Sequence, residues 1–447
     1  MNKRYINWTT FVAINGGLLF GLNMAGISGA VSFIQDFFGL NDIALGLAVS
    51  SITVGCLIGA MFAGSLSDKY GRKNLMLIAA VLFIISALGC SLAGSLTVFI
   101  IARIIGGLAV GGVSVLGPTY ISEIAPAASR GALVSFNQFA IVIGILLAYV
   151  IDYALVDAVQ GWRFMLAVPT LFGVIYLILL NVSFPESPRW LVKAGQKARA
   201  RDILARIGGE KYANDEVTAI AATLEMEKSG KKAVFGDIFR GKMGYVLLLG
   251  TLLAAFQQIT GINAVINYAP VIFAQTGVAS DTALLQSIIV GFVNFLFTIV
   301  ALRLVDTKGR KTLLLWGSAG MTISLAFLAL TFAIGSIGGV WVLVSVLAYI
   351  AFFAASLAPV MWVVTSEMFP TKYRGAAMSF STAVSWVCTL VVVQFFPWML
   401  NNMGGMVSFG IFAAFSLLAY IFIRIYIPET KGKSLEQIEA DLGLLDK

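Results

Sequence analysis

The sequence predicts an all-α membrane protein: twelve transmembrane helices in two six-helix pseudo-repeats, with short helices at the cytoplasmic face. Three observations predict it. Apolar residues make up 59% of the chain and charged residues only 12%, against roughly 25% charged in soluble domains. The apolar residues gather into stretches of the length that crosses a bilayer as a helix, about 20 residues. The charged residues between those stretches are written twice. GSLSDKYGRKN from Gly64 returns as LRLVDTKGRKT from Leu302. Glu123-x-x-Pro126 followed by Arg130-Gly131-Ala132 returns at the same spacing as Glu367-x-x-Pro370 followed by Arg374-Gly375-Ala376. Pro185-Glu186-Ser187-Pro188-Arg189 is echoed by Pro428-Glu429-Thr430-Lys431-Gly432.

In chain order, spans are expected near 9–31, 43–65, 75–95, 97–121, 131–152 and 161–184, and again near 245–274, 283–305, 312–335, 339–364, 376–400 and 405–427. The apolar start from Phe11 has no small-residue cleavage site and runs past Ile27-Ser28-Gly29-Ala30, so it reads as a retained first span. The domain organisation is a first half at 1–184, a linker at 185–242, a second half at 243–427 and a tail at 428–447. In the linker, Arg189 to Val192, Ala198 to Ile207 and Asp215 to Glu227 carry apolar residues at helical spacing among charges, the pattern of short amphipathic helices. In the tail, Ser434 is a candidate cap with Gln437 at the capping-box position. The glycine-rich runs at Gly16-Gly17, Gly55, Gly59, Gly106-Gly107 and Gly111-Gly112 read as close helix packing.

The net charge of +8 orients the chain in a bilayer; it does not point to nucleic acid. With these spans, Lys3, Arg4, Lys69, Arg72, Lys73, Arg130, Lys308, Arg310, Lys311, Lys372, Arg374, Lys431 and Lys433 share one side with the linker. The positive-inside rule makes that side cytoplasmic and puts both termini there, in a cell inner membrane. The opposite loops carry Asp36, Asp42, Asp157 and Asp281, with Arg163 as the basic exception. Cys56, Cys90 and Cys388 stand apart in apolar stretches and the chain has no histidine, so neither a disulfide, a metal site nor a cofactor is expected. An enzyme is disfavoured because no carboxylate pair or activated nucleophile falls in a cavity. Paired membrane repeats are the pattern of carriers that rock one half against the other.

The duplicated loops supply acid and base residues in matching positions: Asp68, Arg72, Glu123, Arg130, Glu186 and Arg189, then Asp306, Arg310, Glu367, Arg374 and Glu429. Gly71 and Gly309 permit the tight turns between them. The expectation is a cytoplasmic gate, in which these pairs latch the halves together when the far side is open and break when the near side opens. Within the spans, Gln257, Gln258 and Asn263 lie within two helical turns, and Gln138 and Asn294 sit near the middle of spans 5 and 8. An unsatisfied amide in an apolar span is costly, and an amide offers donors and an acceptor in one neutral group, which suits a polyhydroxyl ligand. Trp362, one turn after an expected break at Pro359, offers a face for a ring.

These stretches together identify a resemblance. GSLSDKYGRKN, ARIIGGLAVGG from Ala102, PESPRWL from Pro185, QQITGIN from Gln257, VDTKGRK from Val305 and PETKGKS from Pro428 stand in the order and spacing of the sugar porter family of the major facilitator superfamily. The chain resembles it over essentially its whole length. The resemblance implies a sugar substrate, a bilayer as the other partner, function as a monomer, and Gln138, Gln257, Gln258, Asn263, Asn294 and Trp362 around the sugar. Phe20, Asn267, Ser385 and Trp386 are the positions where this chain's pocket is expected to depart from the family, and Ala358 stands where a glycine often precedes the span-10 proline.

Coupling is expected to depart as well. Proton-coupled members of the family carry Gly-Tyr-Asp in span 1 facing a span-4 arginine; this chain has Gly21-Leu22-Asn23 and Arg103. Asn23 takes up no proton, and every Asp and Glu is expected at or beyond a span end. The resulting expectation is facilitated diffusion of a hexose such as glucose, as in the facilitative glucose carriers, with Arg103 a fixed buried charge held by Asn23 and its surroundings. The alternatives are a proton symporter, natural or with an altered residue at position 23, and a carrier of other solutes on the same fold. A sugar sensor would need an extended signalling tail, whereas only 428–447 follows the last span.

Overall fold

Asparagine, serine and glycine decide where the long apolar helices begin and end. The computed structural model describes residues 1–126, 129–229, 235–334, 339–370, 372–433 and 437–438. Its 12 spans are Lys3–Phe38, Asp42–Tyr70, Arg72–Ser91, Leu96–Ile124, Arg130–Leu155, Gly161–Ser183, Gly241–Ala274, Ser280–Val305, Arg310–Ile334, Gly339–Met368, Arg374–Asn402 and Gly404–Tyr426. No strand occurs among the described residues. Asn2, Asn41 and Ser95 cap spans 1, 2 and 4 by accepting from the amides of Tyr5, Ala44 and Val98, donors that a helix start otherwise leaves open.

Several helices run further toward the basic loops than their apolar cores suggest. The second continues to Tyr70 and the helix of the eighth to Lys308. Both end at a glycine with φ of 95°, Gly71 and Gly309, a backbone region that a Cβ disfavours. The repeated loop motif is thus a helix terminator as well as a charge cluster.

Four spans are built of two helices; span 6 divides at Val168 into Gly161–Ala167 and Pro169–Ser183. Span 1 stops as a helix at Ala25, passes through a tight turn at Ser28–Ala30, and resumes as Val31–Phe38. Span 7 breaks at its counterpart, between Gly241–Ile259 and Ile262–Ala274. Span 10 breaks at Ser356, ahead of Pro359 where the break is expected. Proline lacks an N–H but fits the first turn of a helix, so Pro359 sits inside the new helix Leu357–Met368 rather than at the discontinuity. Elsewhere small residues set the packing: a Cβ on Gly55 or Gly107 would strike the facing backbone of spans 4 and 2, whereas Gly112 faces open space.

The linker forms helices Pro188–Lys193 and Lys197–Ser229, the second kinked at Gly209. Leu191, Val192 and Ala200 pack against Ile203, Val217 and Ile220. This unit sits on the basic end of the first half, where Lys193 Nζ meets Asp68 at 3.0 Å and the Asn2 amide donates to Ile207 at 2.6 Å. The cap expected at Ser434 and the side chain of Asp306 lie outside the described residues.

Candidate functional site

The broken spans bring amides and main-chain carbonyls together in the middle of the second half. Gln257, 3% exposed, donates through Nε2 to the carbonyls of Leu357 at 2.9 Å and Ala358 at 3.3 Å, just past the break in span 10. Gln258 Nε2 donates to Gln257 Oε1 at 2.9 Å, and Asn263 Nδ2 donates to Gln258 Oε1 at 2.7 Å. Asn267 Nδ2 continues to the Asn263 carbonyl at 2.7 Å. Each amide orients the next, so a polar string crosses an apolar bundle with its buried groups satisfied. Asn294 is buried, and Gln138 and Trp362 are half-buried. Spans 5 and 8, which carry Gln138 and Asn294, pack together, and the adjacent Phe139 and Phe295 rings lie 5.1 Å apart. Phe20 and Trp386 face each other across the halves at 6.2 Å, while Ser385, next to Trp386 in sequence, is buried.

Position 23 differs in detail from expectation. The Asn23 side chain turns back to donate to Leu19 O at 2.9 Å. Arg103, 3% exposed, is held by main-chain carbonyls, those of Asn23 at 3.0 Å and Val49 at 3.2 Å. The asparagine thus holds the arginine through its backbone, because a helix ending at Ala25 leaves carbonyls of its last turn free to accept.

The charged loops form two similar clusters. Arg72 donates from Nε and a terminal nitrogen to Glu123 at 3.1 and 2.9 Å, and pairs with Asp68 at 2.9 Å. Glu186 accepts from the amides of Arg72 and Lys73 at 2.9 and 3.2 Å. In the second half Arg310 meets Glu367 at 3.5 Å, and Glu429 accepts from the amides of Arg310 and Lys311 at 2.9 and 3.1 Å. Arg130 reaches the Ala125 carbonyl and Arg374 that of Phe369. Arg189 joins Asp68, Arg72, Glu123 and Lys193 around a polar cavity of about 250 Å³. In this structure the Arg72–Glu123 and Arg310–Glu367 pairs do not bridge the halves. Each joins helices of one half, because the partner carboxylate lies on the neighbouring span of the same repeat.

The described hydrogen bonds between halves lie away from the basic face. Ser50 donates to Gln394 Oε1 at 2.9 Å, Gln394 to Ile43 O at 2.9 Å, Asn401 and Asn402 to Asp42 at 2.8 and 3.2 Å, and Tyr149 to Ile266 O at 2.7 Å. The far side is closed. This region also holds a residue that sequence reasoning missed. Asp152, 1% exposed, accepts from the Gly29 amide at 2.8 Å through Oδ2, while Oδ1 is buried without a hydrogen-bond partner. The expected boundary puts Asp152 at the end of span 5; in the structure it lies in the last turn of the helix Arg130–Leu155 and is buried there. The span-1 turn and the helix Gly161–Ala167 pack over the end of span 5 and bury the Asp152 side of its last turn. The signal was a lone carboxylate between Ile151 and Tyr153, three residues after Tyr149 and so on the same helix face.

Residues 9–442 match the family model described as sugar (and other) transporter. The chain is 40% identical over 480 residues to the D-xylose-proton symporter of Escherichia coli strain K12, covering 98% of this chain and 96% of that one. It is 40% identical over 430 residues to the glucose transporter GlcP of Staphylococcus epidermidis, covering 96% and 95%. Among solved structures, the partially occluded inward-open conformation of the xylose transporter XylE from E. coli superposes with a TM-score of 0.86 at 38% identity, covering 97% of this chain and 100% of that one.

Proposed function

The chain belongs to the sugar porter family of the major facilitator superfamily, and we propose that it carries a hexose such as glucose by alternating access, down the sugar's own gradient. It is a multi-pass membrane transporter of sugars; the particular sugar and the coupling are our reading. The observation that carries it is the amide string from Asn263 through Gln258 and Gln257 to the carbonyls beside the span-10 break. Interrupted membrane helices in both halves are where carriers of this architecture bind substrate. Gln138 and Asn294 complete the polar wall, Trp362 supplies an apolar face, and Phe20, Asn267, Ser385 and Trp386 shape the rest. The basic face is cytoplasmic in this reading, and the two charge clusters stiffen each half's inner end so that the halves move as bodies.

Facilitated diffusion follows from position 23. Asn23 has no proton to exchange, and Arg103 rests on carbonyls. Asp152 does not stand in for the absent carboxylate, because its partner is the Gly29 amide rather than Arg103. The test is uptake of radiolabelled glucose and xylose into proteoliposomes, with and without an imposed proton gradient. We expect equilibration without accumulation; accumulation abolished by a protonophore overturns the uniport reading. Gln258→Ala is expected to weaken sugar binding by about 1–3 kcal/mol, since hydroxyls and neighbouring amides lose partners in a partly desolvated site. Unchanged affinity in the folded variant removes Gln258 from the site.

A further inference from the structure

Asp152 belongs neither to the amide string nor to the charged loops, yet it sits where the far side closes. It is carried in the last turn of span 5 and pressed against the turn Ser28–Ala30 of the broken first span, close enough that a Cβ on Gly29 would strike it. That turn packs against span 5, the helix Gly161–Ala167 and the second helix of span 7. One helical turn before Asp152, Tyr149 bridges to Ile266 of the same span-7 helix at 2.7 Å. One short face of span 5 therefore grips both the span-1 turn and the opposite half.

The surroundings provide no counter-charge. On span 5 itself the neighbours are Tyr149, committed to Ile266, and the exposed Tyr153. From the helix Gly161–Ala167, Arg163 is turned to the carbonyls of Ser91 and Ala93 and to the rings of Trp162 and Phe37. From span 7, Tyr268 donates to Val393 O. Span 4 offers Arg103, held at Asn23 and Val49, and Asp281 at the start of span 8 is exposed. No ion pair to Asp152 forms among the described residues, and the Ser28 hydroxyl is also buried without a partner. A carboxylate at such a place, with one N–H donor and no cation, costs far more to bury as an anion than as the neutral acid.

We propose that Asp152 is a proton-binding site that controls closure of the far side: the acid packs against the Ser28–Ala30 turn, and the anion holds that side open in water. The proton adds to Asp152 Oδ1 from the far-side solution and returns to it when that side reopens. No proton crosses the membrane, so the site is compatible with facilitated diffusion. Transport then responds to pH on the far side only. The site does not depend on which sugar the chain carries, and a sugar-free measurement keeps the two readings separate.

Cys56, Cys90 and Cys388 are replaced, and spin labels are placed through Val159→Cys and Met403→Cys, at far-side positions in opposite halves. Distances are then measured by pulsed electron paramagnetic resonance over a series from alkaline to acidic pH. The expected result is a growing short-distance population on acidification. Asp152→Asn, which keeps an oxygen for the Gly29 amide but cannot ionise, is expected to stay short at every pH. Gly29→Ala, which displaces the carboxyl, is expected to stay long. A wild-type background without a pH response, or Asp152→Asn with the same response as wild type, overturns the proposal. Should Asp152→Asn fail to fold, a Gly29→Ala protein that closes on acidification like wild type does the same. Failure of glucose and xylose uptake would strike the sugar reading and leave these distances untouched.

Discussion

The two halves contain the same charged sentence and build unequal clusters from it. At the turn the copies agree closely: Gly71 and Gly309 share φ of 95°, and Glu186 and Glu429 each bind the first two amides of the following helix. The copies diverge one layer out. Arg72 and Glu123, with side chains 8% and 9% exposed, form a two-point contact to which Ser187 adds a hydrogen bond at 2.5 Å. Arg310 and Glu367, at 15% and 25%, meet at 3.5 Å, and one Glu367 oxygen is buried without a hydrogen-bond partner. The linker accounts for the difference: its helices cover the first cluster and bring Ser187, Trp190 and Lys193 to it. Local sequence sets the turn, and coverage sets the strength of the pair.

The largest expected difference is therefore between the two arginines. Arg72→Ala strands Glu123 in a covered site and is expected to cost about 3–5 kcal/mol, the penalty of breaking a buried pair. Arg310→Ala removes a longer and wetter contact, and about 1–3 kcal/mol is expected. Thermal and denaturant unfolding of the two purified variants checks this, and equal losses would break the comparison. The glycines come next. Alanine at position 71 or 309 must adopt a backbone conformation costing about 1–2 kcal/mol, and its Cβ would press on Glu186 or Glu429. Near-equal destabilisation is expected because the turn is the shared layer. A harmless Gly309→Ala beside a damaging Gly71→Ala would place the asymmetry in the turn itself.

Periodicity and repetition made the twelve spans legible, together with the loop glycines and the amides of span 7, because a polar group in an apolar run stands out by contrast. The amide string could not be read, since its order depends on where span 10 breaks, and Pro359 marks the region of that break without marking Ser356. The charge clusters were legible as residues but not as pairings. Nothing in Glu123 or Glu367 says whether its arginine lies in its own half. Asp152 was lost for a geometric reason: a span boundary drawn through the last apolar turn treats that turn as surface, whereas the broken first span folds back over it.

The smallest effect concerns the two capping carboxylates. Burial pushes Glu186 above the ordinary carboxylate range despite the amides of Ser187, Lys73 and Arg72 and the Arg72 charge. Burial pushes Glu429 the same way, but the amides of Lys431, Arg310, Lys311 and Thr430 prevail and hold it below that range. The linkage signs are then opposite. Glu429 contributes stability that is present above its unfolded value, about 4.3, and is lost as pH falls through its folded value. Glu186 contributes stability that is present below its unfolded value and is lost as pH rises through its folded one. The gap in melting temperature between wild type and Glu429→Gln should therefore narrow on acidification, while the gap for Glu186→Gln should narrow as pH rises. Both changes are expected to stay below about 1 kcal/mol once water screening is counted. Parallel pH profiles for the two variants would show that the linker's coverage does not reach the capping layer, leaving Arg72 and Glu123 as the place where the halves differ.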